Sequence, residues 1–386
     1  MDDERLRRWR LVLGGGEADG TGHRLGGADL GMDGALAAVY EGREGRGGGL
    51  GASAPRVARW LGDIRTYFPA PVVQVMQRDA IERLDLTRLL LEPEMLEAVE
   101  PDVHLVGTLI ALNRVMPDRA RESARSVVRS VVAELERRLA QKTRAAVTGA
   151  LDRAARTRRP KRVADINWNR TIHSNLGNYL PEKGTLVPER LVGHARRQRA
   201  VGREVVLCVD QSGSMASSVV YASVFGAVLA SMRSLKTSLV VFDTAVADLT
   251  DRLHDPVELL FGTQLGGGTD VNRAVAYCQG LLTRPAESLF ILISDLYEGG
   301  VREEMLRRVN AMTRAGVQVV VLLALSDEGA PSYDRENAAA LAAMGVPAFA
   351  CTPDAFPGLM AAAIERRDLG RWAEVNLSAP GGGAGP

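Results

Sequence analysis

The second half of the chain alternates short, continuously apolar runs with amphipathic segments, and this alternation restricts the fold more than any other feature. The apolar runs are Val205–Val209, Ser238–Phe242, a weaker Ala245–Leu249, Leu289–Ser294, Val317–Leu323 and Pro347–Ala350. Between and after them the spacing predicts helices over Ser217–Leu235, Val271–Leu282, Val301–Ala315, Ser332–Met344 and Phe356–Arg367. A strand that is apolar at successive positions must be covered on both faces, and the intervening helices supply that cover. The expected fold class is therefore α/β: a doubly wound, mostly parallel sheet of Rossmann-like build. Open sheets of this kind bind ligands beyond the carboxyl ends of their strands, where strand order reverses.

Two of these strands run into carboxylates. Val205–Val209 is followed by Asp210-Gln-Ser212-Gly-Ser214, which presents a carboxylate and two hydroxyls at alternate positions of a turn. Ile291-Leu-Ile-Ser-Asp295 ends another strand in a carboxylate. Gly266-Gly-Gly-Thr269-Asp270 offers a further hydroxyl in a loop whose glycines permit close approach. These are hard oxygen ligands, the set preferred by Mg²⁺, and also accepted by Mn²⁺. The competing reading is that Asp210 and Asp295 only cap helices.

In type and order, Asp210, Ser212, Ser214, Thr269 and Asp295 resemble the metal-ion-dependent adhesion site of von Willebrand factor A (VWA) domains. The resemblance covers about Glu204–Arg367. It implies that Ser212 and Ser214 bind the metal directly, Thr269 directly or through water, and Asp210 and Asp295 mostly through water. One position would remain for a carboxylate from a partner. Upstream, Asn167-Trp-Asn-Arg-Thr-Ile and the Arg-rich approach to the first strand resemble bacterial intracellular VWA proteins, including the CoxE-like group that accompanies MoxR-type AAA+ ATPases. The resemblance implies a non-enzymatic, cytoplasmic, metal-dependent adaptor. Its expected partner is a protein presenting an acidic residue, either a MoxR-type ATPase or its client.

The first half reads as helical. Residues 1–54 are expected to be largely disordered, being Gly-rich with little to bury, apart from a short helix near Met32–Tyr40. A small all-helical domain follows over 55–155. Val57, Trp60, Leu61, Ile64 and Phe68 mark its first helix, and a long helix spans about Asp118 to Ala155. Shorter helices fit Val72–Leu84, Pro93–Val99 and Val103–Val115. Residues 156–203 are polar but contain Trp168, Ile172 and Leu176, and read as an ordered connector packed on the second domain. The VWA-like domain is expected over 204–370 and a flexible tail over 371–386.

Charge divides unevenly. Residues 1–200 hold 34 Lys/Arg against 26 Asp/Glu, and residues 201–386 hold 14 against 21. A basic half joined to an acidic half suggests mutual docking or different partners. The Arg-rich long helix leaves an RNA-binding scaffold, as in Ro-type proteins, as the alternative function. Other classes find no support. Cys208, Cys278 and Cys351 are far apart, with no C-x-x-C pair. The five histidines form no zinc-protease pattern, and there is no Gly-x-Ser-x-Gly elbow or Walker A loop. No run of about 18 consecutive apolar residues is present, and Met1-Asp-Asp-Glu-Arg lacks a secretory apolar region.

Overall fold

The computed structural model describes residues 3–14, 23–40, 54–84, 86–154, 156–157, 166–194, 203–263, 267–327 and 332–377. The chain divides into two compact units, Met1–Glu134 and Leu135–Pro386.

The first unit is helical. It contains α1 (Asp3–Leu13), α2 (Ala28–Tyr40), α3 (Ala54–Tyr67), α4 (Ala70–Arg83), α5 (Pro93–Ala98), α6 (Val103–Leu112) and the start of α7 (Asp118–Ala154). Val57, Trp60, Leu61 and Ile64 of α3 repeat at helical spacing and are all buried. The expectation of a largely disordered segment over 1–54 is corrected where the chain is described. There, α1 and α2 are ordered helices joined by Arg7–Asp29 at 2.6 Å and Arg10–Asp33 at 3.0 Å. Trp60 donates its indole N–H to the Ala35 carbonyl at 3.0 Å, tying α3 to α2. The glycine runs at 15–22 and 41–53 lie outside the described residues.

The expected domain boundary at residue 155 moves to Glu134/Leu135, inside α7. The second half of α7 buries Leu139, Val147 and Ala150. It also holds Asp354 through Arg138 at 2.6 Å and Lys142 at 3.1 Å. Arg144 donates to Ser231 Oγ at 3.3 Å. One continuous helical pattern hid a change of packing partner part-way along it.

The connector is closed by β1 (Arg156–Thr157) pairing antiparallel with β4 (Gly193–His194). Between them lie α8 (Trp168–Ser174) and the hairpin β2 (Tyr179–Leu180) and β3 (Thr185–Leu186). Its interior is polar. Asn175 Nδ2 donates to the Thr171 and Arg190 carbonyls at 2.6 and 2.8 Å, and its Oδ1 accepts from the Glu189 and Arg190 amides. Thr171 Oγ1 accepts from the Val192 amide at 3.0 Å. Trp168, Ile172 and Leu176 are exposed.

The sheet comprises β5 (Arg203–Asp210), β6 (Leu235–Phe242), β7 (Val246–Asp248), β8 (Ser288–Ile293), β9 (Gln318–Leu325) and β10 (Ala348–Cys351). Their order is β10-β9-β8-β5-β6-β7, parallel except for β7. Flanking helices are α9 (Ala216–Ala230), α10 (Pro256–Gly262), α11 (Val271–Leu281), α12 (Arg302–Arg314), α13 (Arg335–Ala343), α14 (Phe356–Ile364) and α15 (Leu369–Asn376). One core cluster joins Val206, Cys208, Val240, Phe242, Phe290 and Leu292 of the strands to Val275 and Cys278 of α11 and Met305 and Val309 of α12. Burial of such side chains stabilises by about 1.5–3 kcal/mol each relative to exposure.

Helix α9 is apolar all round, and Gly213–Ala230 is long and apolar enough to cross a membrane. Here it serves as a core helix, with Phe225 packed on Phe356 of α14 at 4.3 Å between ring centres. It ends at Ala230, earlier than the expected Leu235, because Leu235 already belongs to β6. Two helices escaped the periodicity. Helix α10 starts at Asp255, whose carboxylate accepts from the Val257 and Glu258 amides. Helix α15 starts at Asp368 and buries Trp372, so the expected flexible tail is helical as far as Asn376.

Candidate metal centre

Strand order reverses at β5 and β8. The chain passes from β5 to β6 and β7 on one side, then crosses to β8, β9 and β10 on the other. Adjacent strands leaving in opposite directions open a crevice beyond their carboxyl ends. The register pairs Val209 with Ile293, so Asp210 leaves β5 beside Ser294 and Asp295 follows at the end of β8.

Four of the five expected ligands meet there. Asp210 Oδ1 accepts from the Ser212 amide at 2.8 Å, forming the turn that presents the two serines. Ser212 Oγ and Ser214 Oγ lie 3.2 Å apart, and Ser214 Oγ donates to Asp295 Oδ2 at 2.8 Å. Asp210 Oδ2 accepts from Ser294 Oγ at 2.8 Å. The carboxylates are buried, Ser212 is half-buried and Ser214 is exposed, so acidic oxygens form a floor beneath accessible hydroxyls.

Thr269 reaches the site's surroundings through its backbone. Its carbonyl accepts from the Gly299 amide at 2.7 Å, and the next residue, Asp270, donates its amide to the Asp243 carbonyl at 2.9 Å. The loop is thereby held between the end of β6 and the segment following Asp295. Among the described residues the Thr269 hydroxyl makes no hydrogen bond with the other four groups. Gly299 is required by this approach: a Cβ there would lie 2.5 Å from the Thr269 carbonyl oxygen. Gly267 adopts φ +129, a region open mainly to glycine.

Burial pushes the Asp210 carboxyl up from its ordinary value. Hydrogen bonds from the Ser212 amide and the Ser294 hydroxyl oppose this, and the Asp295 charge adds to it. Among the described residues, no Lys, Arg or His forms an ion pair with Asp210 or Asp295. Buried carboxylates are ordinarily paired with a cation or ligate a metal. A neighbouring pair without a protein cation, topped by two hydroxyls, fits a small hard divalent ion. Among the described residues there is no cluster of three or more His, Cys, Asp or Glu suited to a metal, so hydroxyls are essential to this donor set.

Sequence reasoning did not identify the residues that shape the Asp295 loop. Leu296 is buried with φ 66, a conformation rare for a residue other than glycine and costing of order 1–3 kcal/mol. The surroundings hold it there. Asn337 Nδ2 donates to the Leu296 carbonyl at 3.0 Å, and the Asp334 amide donates to the Asp295 carbonyl at 2.9 Å. Asn337 is itself fixed by Arg302, whose Nε donates to its Oδ1 at 2.6 Å. The only available sequence signal was Asp334 three residues before Asn337 at a helix start, which reads as an ordinary cap.

VWA domain containing CoxE-like proteins, as a family, match residues 139–359, more than half of the chain. The chain belongs to this family. Its matched region begins inside the second half of α7, in accord with the packing of that half on the sheet. The uncharacterized protein YehP of Escherichia coli (strain K12) is 37% identical over 359 residues, covering 90% of this chain and 93% of its own. Among solved structures, the conserved hypothetical protein BatB of Bacteroides thetaiotaomicron is 17% identical. That match covers 43% of this chain and 100% of its own, with a TM-score of 0.32. An aerotolerance-related membrane protein of Bacteroides fragilis NCTC 9343 is 16% identical, covering 45% and 96%, with a TM-score of 0.27. The fold of this CoxE-like protein rests on its own strand order.

Proposed function

We propose that this CoxE-like VWA protein is a non-enzymatic adaptor that captures an acidic residue of a protein partner through a divalent cation. The observation that carries the reading is the pair of buried carboxylates, Asp210 and Asp295, beneath accessible serine hydroxyls and without an ion-paired Lys, Arg or His among the described residues. Ser212, Ser214 and Thr269, supported by the two aspartates, would hold Mg²⁺ or Mn²⁺. The bound ion would supply an electrophilic centre for an incoming Asp or Glu carboxylate. The residues themselves do the positioning. Asp210 shapes the serine turn, Ser294 holds Asp210 in place, and the Gly299 contact fixes the Thr269 loop.

The proposed partner is a MoxR-type AAA+ ATPase or its client in the cytoplasm, supported by the family resemblance. Pull-downs of tagged protein from cell lysate, with chelator and with Mg²⁺ restored, test the reading. Chelator should release the partner, Mg²⁺ should restore it, and Thr269→Ala should weaken recovery. Partner recovery unchanged after complete metal removal would reject capture through the metal. Release by salt alone would instead assign the contact to basic surface charge.

A further inference from the structure

The net positive charge of the first half does not lie within residues 1–155. Residues 1–155 hold 23 Lys/Arg against 23 Asp/Glu, whereas residues 156–203 hold 12 against 3. Residues 204–386 hold 13 against 21. The connector is thus a strongly basic insert, at +9, preceding an acidic domain at −8, in a chain whose net charge is only +1.

The connector also concentrates exposed apolar surface. Six of the eighteen exposed large apolar residues among those described fall within twenty positions: Trp168, Ile172, Leu176, Tyr179, Leu180 and Val187. Trp168, Ile172 and Leu176 recur at intervals of four and are 49%, 44% and 58% exposed. They are not held outward by default. The module folds instead around the polar clasp of Thr171 and Asn175, which spends its few buried positions on hydrogen bonds. Exposed Arg170, Lys183 and Arg190 accompany the ridge, interspersed with exposed Glu182 and Glu189. An apolar centre with a charged surround is the anatomy of a protein interface.

We infer that this ridge docks on the acidic domain of a second copy of the chain. Opposite charges of nearly equal size make connector and domain complementary, and the small net charge leaves two copies without overall repulsion. The chain's own domain leaves the ridge uncovered, although both belong to one compact unit. Two copies related by a two-fold axis make the contact twice and close the assembly. Four of the six side chains are aliphatic and have no ring face for stacking on bases, which favours a protein occupant over single-stranded nucleic acid.

Sedimentation velocity of the full chain, at micromolar concentration and low salt, tests this. Wild type should sediment as a dimer and dissociate as salt rises. Trp168→Ser with Ile172→Ser should weaken dimerisation about tenfold or more, with unchanged circular dichroism and divalent-metal binding. Because a ridge variant could misfold, Arg170→Glu with Lys183→Glu, at exposed positions, should weaken the dimer in the same direction. A monomeric wild type in low salt overturns the inference, as does a dimer indifferent to both variant pairs. A labelled oligo-dT that binds a monomeric wild type, but not the ridge variant, would assign the surface to nucleic acid and also overturn it.

Discussion

Ser214 Oγ donates a hydrogen bond of 2.8 Å to Asp295 Oδ2 across 81 positions of sequence. This contact joins the loop after β5 to the end of β8 at the point where strand order reverses. It brings an accessible hydroxyl to a buried carboxylate whose neighbour, Asp210, is also buried. The arrangement depends on how the two loops are held, and that dependence can be measured.

Asn337 positions the Asp295 loop without belonging to the donor set. Its amide donates to the Leu296 carbonyl and keeps that residue in its left-handed conformation. Asn337→Ala should lower divalent-metal affinity about 10- to 100-fold, the usual effect of removing an outer support of a metal site. It should also destabilise the fold by about 1–3 kcal/mol, since buried polar partners lose a hydrogen bond. Calorimetric titration with Mn²⁺ and urea unfolding would read the two effects separately. Metal affinity equal to wild type would remove Asn337 from the site.

Glu204 lies at the opposite end of β5 and governs acid stability. Burial raises its carboxyl, but hydrogen bonds from the Thr283 hydroxyl and amide, the Arg284 amide and the Ser288 hydroxyl more than offset this and carry it down to about 2. A depressed folded value contributes stability that is complete above the unfolded value, about 4.3. That contribution is lost as pH falls toward about 2. Glu204→Gln should therefore destabilise at neutral pH by on the order of 2–3 kcal/mol. The difference from wild type should shrink between about pH 4.5 and 2. Urea midpoints at several pH values would check this; a difference independent of pH would contradict it.

The second half of α7 should behave as part of the sheet unit. A fragment beginning at Leu135 keeps the Arg138 and Lys142 contacts with Asp354 and the buried Leu139 and Val147. A fragment beginning at Arg156 loses them all. The longer fragment should melt cooperatively and at higher temperature, by several kcal/mol of retained burial. Equal melting of the two would return the boundary to residue 155.

Much of the fold was legible because β5, β8 and β9 each contain a continuous apolar run followed by a helical pattern. Val205–Val209 and Leu289–Ser294 could only be buried parallel strands, and Asp210, Ser212, Ser214 and Asp295 stand directly after them. Their meeting required β5 and β8 to be neighbours, a matter of topology that the structure supplies. What supports the site was not legible. The Leu296 conformation is imposed by an amide 41 positions away, and no local pattern marks it. No sequence pattern showed that Trp168, Ile172 and Leu176 would be exposed while Thr171 and Asn175 take the interior of the connector. The end of the helical unit was hidden for a related reason: α7 stays amphipathic while the structure that covers it changes.

The most direct test of metal-dependent capture is calorimetric titration of the purified full chain with Mg²⁺ and Mn²⁺, beside Asp210→Asn and Ser214→Ala. Wild type should bind about one ion per chain. Both variants should lose affinity by about tenfold or more while keeping wild-type circular dichroism. Equal affinity in all three proteins, or no binding by wild type, would contradict the assignment of the site.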